Sequence, residues 1–269
     1  MWIAGLAFSF LFWWPMATLV RDWWTDPDAS QGLLLFPVAL YLAWRRGWAP
    51  RSAPQPAAGL ALLAAAVVLR CVSGLAAEPY TMRLALLGAA AGLVVVRRGI
   101  GQLGYWWLPL LLLVLSIPLP VVVAGSLALP LQLEASRLGA DLLRWRNVPV
   151  AVAGNIIRLP GRSLFVTEAC SGLRSLAALL ALGLLVGGLW LRTAWGRCVL
   201  VAAAIPVAIV LNAVRVFLTG FLVFFVSPAL AEGVMHYTEG WALFVAAFAI
   251  LGGAAWVLAG LERRRPAVT

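Results

Sequence analysis

Glu168, Cys170 and Arg174 fall within seven residues of the stretch "TEACSGLRSL" (167–176), at the mouth of the apolar run "AALLALGLLVGGLWL". Two further rare groups follow: Arg215, three residues after Asn212 inside an apolar stretch, and His236, the only histidine. A thiol, an imidazole and a guanidinium together can perform acyl transfer. The thiolate attacks a carbonyl, the imidazole moves protons to and from the leaving and entering groups, and the guanidinium stabilises the oxyanion or the thiolate.

Each residue also has a structural explanation. A cysteine in an apolar helix is ordinarily a small packing residue, and Cys71 and Cys198 read that way. Cys170 differs because it begins a helix whose dipole favours a thiolate, while Arg174 at i+4 can add positive field or pair with Glu168. A single histidine near an interface is ordinarily a hydrogen-bonded surface group. An arginine inside an apolar span is expensive and by default marks a function, the alternative being a structural pair of Arg215 with Asn212, Thr219 or a backbone carbonyl. One histidine and three scattered cysteines offer no metal-ligand spacing, so neither a metal nor another cofactor is expected. HExxH, GxSxG and Walker-type glycine loops do not occur.

The elements that must carry these groups follow from composition. With 64% hydrophobic and 11% charged residues and a mean hydropathy of +0.98, the chain reads as an all-α polytopic membrane protein. Several of its 14 tryptophans cluster in "FWWP", "RDWW" and "GYWW", as suits a membrane–water interface. Apolar spans of roughly 20 residues, the length a helix needs to cross a bilayer, number about eight: 1–20, 31–44, 57–77, 82–96, 104–126, 170–191, 198–226 and 240–260. The second and fourth are short and the seventh is long. The first reads as a retained helix and not a cleaved leader.

All twenty basic residues are arginine. Ten of them (Arg45, Arg46, Arg51, Arg97, Arg98, Arg192, Arg197, Arg263, Arg264 and Arg265) lie in connections that eight spans place on one side. The positive-inside rule assigns that side and both termini to the cytoplasm. The net charge of +10 is thereby explained by topology, and nucleic acid is not an expected partner. Cys170 and His236 then share the outer surface, and Arg215 reaches toward it from span seven, roughly 16 Å of helix below Val226.

A single membrane domain over 1–269 is expected, with an extracytoplasmic insertion at 127–169. Within the insertion, "LPLQLEASRLGADLLRW" (129–145) puts Leu131, Ala135, Leu138 and Leu142 at helical spacing, which predicts an amphipathic helix lying on the outer surface. Turn signals at Gly154-Asn155 and Pro160-Gly161 between short β-branched runs predict a small β-meander over 148–169. It hands the chain directly to Cys170.

The motifs "EACSGLRSL" (168–176), "NAVR" (212–215) and the histidine of "HYTEGW" (236–241), in that order, resemble the exosortase/archaeosortase family. The segment "PLPVVVAGSLALPLQLEASRLGADLLR" with "VPVAVAGNIIRLPG" is similar to what precedes the family's cysteine motif. "SQGLLLFPVALYLAWRR" is similar to its early helix, with Gln31 where histidine is common. The resemblance implies an intramembrane cysteine transpeptidase or peptidase, most nearly a bacterial exosortase, of the cytoplasmic (inner) membrane. Its substrates would be membrane-anchored proteins with a C-terminal sorting signal, a Pro-Glu-Pro-type motif followed by one transmembrane helix and a basic tail. Cys170 would be the nucleophile, His236 the acid/base and Arg215 the oxyanion or thiolate stabiliser, with Glu168, Arg174 and Asn212 in support. A lipid or amine acceptor would make the reaction a transpeptidation, and water a hydrolysis. The alternative from the residues alone is a transporter or assembly factor for an envelope polysaccharide or lipid, with Arg215 lining a polar path and Pro206 breaking span seven.

Overall fold

The computed structural model describes residues 2–166, 172–226 and 234–264, with the side chains of 2–7, 234–240 and 264 outside that description. Over these residues the chain is mostly helical with one small antiparallel sheet. It forms two compact units, residues 1–120 and 121–269. Six helical segments among the described residues are long and apolar enough to cross a membrane, by length and composition: Pro56–Leu75, Pro79–Arg98, Val121–Trp145, Leu173–Trp190, Ala194–Phe225 and Trp241–Arg263. Large apolar side chains such as Val68, Val210 and Phe248 stay exposed along them, as a lipid-facing surface requires.

The first unit holds α1 (Trp2–Thr25), α2 (Gly32–Arg46), α3 (Pro56–Leu75), α4 (Pro79–Arg98) and two short helices, α5 (Gly101–Tyr105) and α6 (Trp107–Leu115). Helices α3 and α4 pack most intimately. A Cβ on Gly59 would lie 2.4 Å from the Val96 amide nitrogen, and one on Gly92 would lie 2.8 Å from Leu63, so only small residues allow this approach. Phe12 of α1 fills the space beside Ala66, Ala85 and Ala89. At the other end of α4, Gln102 is buried, accepting from the Ala49 amide at 2.8 Å, while Arg46 donates to the Tyr105 carbonyl at 2.7 Å. Arg98 stacks 4.6 Å from the Trp48 ring. Arg98, at the end of α4, thus lies beside Trp48, two residues past the end of α2.

The expected fifth span, 104–126, is not one helix. Trp106 separates α5 from α6, and α6 ends before "SIPLP" (116–120), where two prolines deny the backbone the donors that a continuing helix needs. The expected second span forms a helix of 15 residues, about 22 Å long and shorter than the hydrocarbon core.

The second unit begins with α7 (Val121–Trp145), which joins the end of the expected fifth span to the expected amphipathic helix in one 25-residue element. Its buried face is also rotated from the expected one. Gln132, Ala135, Ser136, Gly139, Ala140 and Leu143 point inward, whereas Leu131, Leu138 and Leu142 are only partly buried. The reason is close helix packing: a Cβ on Gly139 would lie 2.6 Å from Val216, and one on Gly220 would lie 2.8 Å from Leu143. Small residues set the contact, not the leucine stripe.

Strands β1 (Ala151–Ala153), β2 (Ile156–Leu159) and β3 (Arg162–Phe165) form the expected meander, antiparallel in the order β1-β2-β3. Ile157 and Leu159 pack with Val148 and Val166 against Leu143 of α7 and Val216 of α9 (Ala194–Phe225). Helices α8 (Leu173–Trp190), α9 (Ala194–Phe225) and α10 (Val234–Arg264) complete the unit around Leu179, Leu200, Ala208, Ala247 and Leu251. Pro206 lies inside α9, yet the helix runs unbroken for 32 residues. Where α8, α9 and α10 meet, the Glu262 carboxylate accepts from the backbone of Arg192 at 2.8 Å and of Thr193 at 3.2 Å, and from the Thr193 hydroxyl.

Candidate active site

The cysteine motif enters from the meander and leaves into α8, and both edges are fixed. On entry, the Val166 amide donates to the Asn155 carbonyl at 2.9 Å and the Asn155 side chain donates back to the Val166 carbonyl at 3.2 Å. Val166 itself is 1% exposed, held in the core that joins the meander to α7 and α9. On exit, Gly172 caps α8 in the left-handed conformation (φ +79°), and its carbonyl accepts from the Leu176 amide at 2.8 Å. The five residues between these anchors, which include Glu168 and Cys170, lie outside the described residues.

Gly172 also joins two motifs that the sequence keeps 40 residues apart. A Cβ there would lie 2.8 Å from Asn212 Cγ and 2.9 Å from its Nδ2. Only glycine satisfies both the backbone angle and the approach. Asn212 is 6% exposed on α9, and Arg215 follows it by about one turn, half-buried, with its carbonyl accepting from the Thr219 hydroxyl at 3.0 Å.

Between α8, α9 and α10 opens a cleft of about 80 Å³, lined by Ser175, Leu211, Asn212, Arg215, Leu243 and Phe244 among others. His236 is in the first turn of α10. Its backbone position precedes Leu243 by seven residues, close to two turns and roughly 10 Å of rise. The side chain of His236 lies outside the described residues. Arg174 is exposed in the first turn of α8 and does not line the cleft.

Of the six residues expected from the sequence, the described structure thus brings Asn212 and Arg215 together at the exit of the cysteine motif. It also adds two that the sequence did not single out. Gly172 makes the contact between the motifs, and Ser175 lines the cleft beside Asn212 and Arg215. Both left a trace in "CSGLRS". A glycine opening a helix points to a special backbone angle, and Ser175 is, with Arg174, the only hydrophilic residue of α8. Gln132 and Ser136 are buried on α7, where the Ser136 hydroxyl donates to the Gln132 carbonyl at 2.8 Å.

The N-terminus of α8, whose positive dipole end favours an anion, comes three residues after Cys170 in the sequence. A guanidinium half-buried in an apolar unit, a buried carboxamide and a hydroxyl then border one small cleft, an arrangement suited to holding a developing negative charge. No curated protein and no solved structure matches the chain. Residues 23–253 match the family described as transmembrane exosortase (Exosortase_EpsH), a span that includes the meander, the cysteine motif, Asn212, Arg215 and position 236. With membrane-length apolar helices and a match over most of its length, the chain is a membrane protein that belongs to the transmembrane exosortase family.

Proposed function

We propose that the protein is an intramembrane cysteine transpeptidase or peptidase. It would cleave the C-terminal sorting signal of exported, membrane-anchored proteins at the outer face of the cytoplasmic membrane. Cys170 is the nucleophile, His236 the acid/base and Arg215 the oxyanion stabiliser, with Glu168, Arg174 and Asn212 in support. The observation that carries this reading is the contact of Gly172 with Asn212, which sets the exit of the cysteine segment one helical turn from Arg215.

The chemistry balances as follows. His236 takes the thiol proton, and the Cys170 sulfur attacks the scissile carbonyl to give a tetrahedral oxyanion facing Arg215. Collapse breaks the C–N bond, and His236 gives the proton to the departing amine, leaving a thioester on Cys170. An amine acceptor, or water, then loses its proton to His236 and attacks the thioester, and the proton returns to sulfur as the product leaves. A substrate helix in the bilayer would deliver its scissile bond at headgroup level, and its basic tail would fix its orientation by the rule that orients the enzyme. The meander, anchored next to the cysteine segment, is the recognition surface in this reading, with residues 147–166 as its extent.

The transporter alternative loses the support it drew from Pro206, since α9 is continuous there. The test is processing of a co-expressed substrate carrying a Pro-Glu-Pro-type tail, read by gel mobility and C-terminal mass, in wild type, Cys170→Ala and Cys198→Ala. Loss of the shortened product in Cys170→Ala alone supports the assignment, and the terminal mass separates transpeptidation from hydrolysis. Processing that survives Cys170→Ala sinks it.

A further inference from the structure

The first unit contains a second charged cleft, of about 530 Å³, which the proposed reaction does not use. Arg21, Arg70 and Arg83 line it together with Asp22, Thr18 and Trp14. Arg83 is only 4% exposed and forms an ion pair with Asp22, but its Nε, sealed from solvent, has no acceptor among the described residues. Arg70 donates from Nε to the Leu11 carbonyl at 3.3 Å and forms no ion pair among the described residues, and Arg21 is exposed and likewise without one. Glu78 lies within the field of Arg83, yet its carboxylate is committed to the Tyr80 and Thr81 amides and the Thr81 hydroxyl. The cleft therefore keeps a surplus of guanidinium charge and a buried donor in want of an oxygen.

Its depth in the fold narrows the ligand. The lining comes from the last turns of α1 and α3 and the first turn of α4, and α3 and α4 are candidate spans joined by only three residues. Ends of crossing helices sit at the level of lipid headgroups. Along α1, Trp14, Thr18 and Arg21 follow one another at i, i+4 and i+7 on one helix face. That face grades from an apolar ring, deeper in the helix, through a hydroxyl to a cation at the helix end. We infer that this cleft binds a membrane phospholipid by its anionic phosphate, with Arg21, Arg70 and Arg83 around the headgroup and the acyl chain beside Trp14. Basic pockets between membrane helices hold anionic headgroups by this combination of charge and depth. A soluble phosphate would satisfy the arginines but leave the apolar half of the cleft without a partner.

The test is native mass spectrometry of the full chain in a nonionic detergent, offered equal amounts of phosphatidylglycerol and phosphatidylcholine. Wild type is expected to retain the anionic lipid about tenfold over the zwitterionic one, and Arg21→Gln/Arg70→Gln to lose that preference. Arg51→Gln/Arg97→Gln, which removes the same charge elsewhere on the unit, is expected to keep it. Where the first double variant unfolds at a lower temperature than wild type, Arg21→Gln alone, at an exposed side chain, carries the test. Equal retention of both lipids by wild type, or equal loss in both double variants, overturns the inference. Displacement of the lipid by millimolar inorganic phosphate would identify a free-anion site instead and overturns the lipid assignment.

Discussion

Replacing Gly172 by alanine tests the contact on which the site depends. The new Cβ would lie 2.8 Å from Asn212 Cγ and 3.1 Å from Asn212 Cβ, and the backbone would stay at φ +79°. Holding an L-residue in the left-handed region costs about 1–2 kcal/mol. Forcing a methyl against a buried side chain adds about 1–3 kcal/mol. Gly172→Ala should therefore destabilise the protein by about 2–5 kcal/mol. By moving the exit of the cysteine segment, it should also slow substrate processing by about a hundredfold, the usual consequence of ångström-scale misplacement.

The two costs separate in a double-mutant cycle. Asn212→Ala removes the atoms at 2.8 and 2.9 Å but leaves the backbone angle unchanged. The pair should show a coupling of about 1–3 kcal/mol, with the double variant less destabilised than the sum of the single ones. Unfolding of the purified protein in detergent, followed by tryptophan fluorescence, measures this without any need for activity. Gly187→Ala is the control in the same helix. Its Cβ would meet Leu200 at 3.5 Å, an ordinary contact, so the variant should be neutral or gain about 0.5–1 kcal/mol from better helix propensity. Additive effects of Gly172→Ala and Asn212→Ala, within about 0.5 kcal/mol, would show that the two residues do not press on each other.

Arg215→Lys keeps the charge but not the planar fork, and should lower the rate of processed product about 10²–10³-fold with the unfolding temperature unchanged. A rate within tenfold of wild type would remove the oxyanion role. Glu262→Gln places an amide NH2 among the donors of Arg192 and Thr193, and should cost about 1 kcal/mol in detergent unfolding, a loss that Thr193→Ala would in part reproduce. Glu78 supplies a pH dependence. Burial works to raise its pKa, but the Thr81 hydroxyl, the Thr81 and Tyr80 amides and the charge of Arg83 outweigh it and hold the carboxyl below its ordinary 4.5. Because the folded value is the lower one, the stability it contributes is present above the unfolded value and is lost as pH falls through the folded value. Wild type should thus be more stable than Glu78→Gln at pH values above the ordinary 4.5, and the difference should shrink as pH falls below it.

Composition alone determined that this is a helical membrane protein, because 64% apolar residues in long runs can be buried only against lipid and one another. Turn residues at Gly154-Asn155 and Pro160-Gly161 determined the meander, since local backbone preference sets hairpins whatever packs on them. The motifs "EACSGLRSL" and "NAVR" likewise led to the family before any geometry was known.

Tertiary structure decided the rest. Hydropathy merges Gly101–Tyr105, Trp107–Leu115 and the start of α7 into one apolar run, and only the chain path shows where that run breaks. The face that α7 buries could not be read from its leucines, because two glycines, Gly139 and Gly220, let α9 approach closer than a leucine seam allows. Pro206 suggested a break, yet α9 runs on through it for 32 residues. The contact of Gly172 with Asn212 spans 40 residues, and periodicity within one helix carries no information about which face of another helix it will meet.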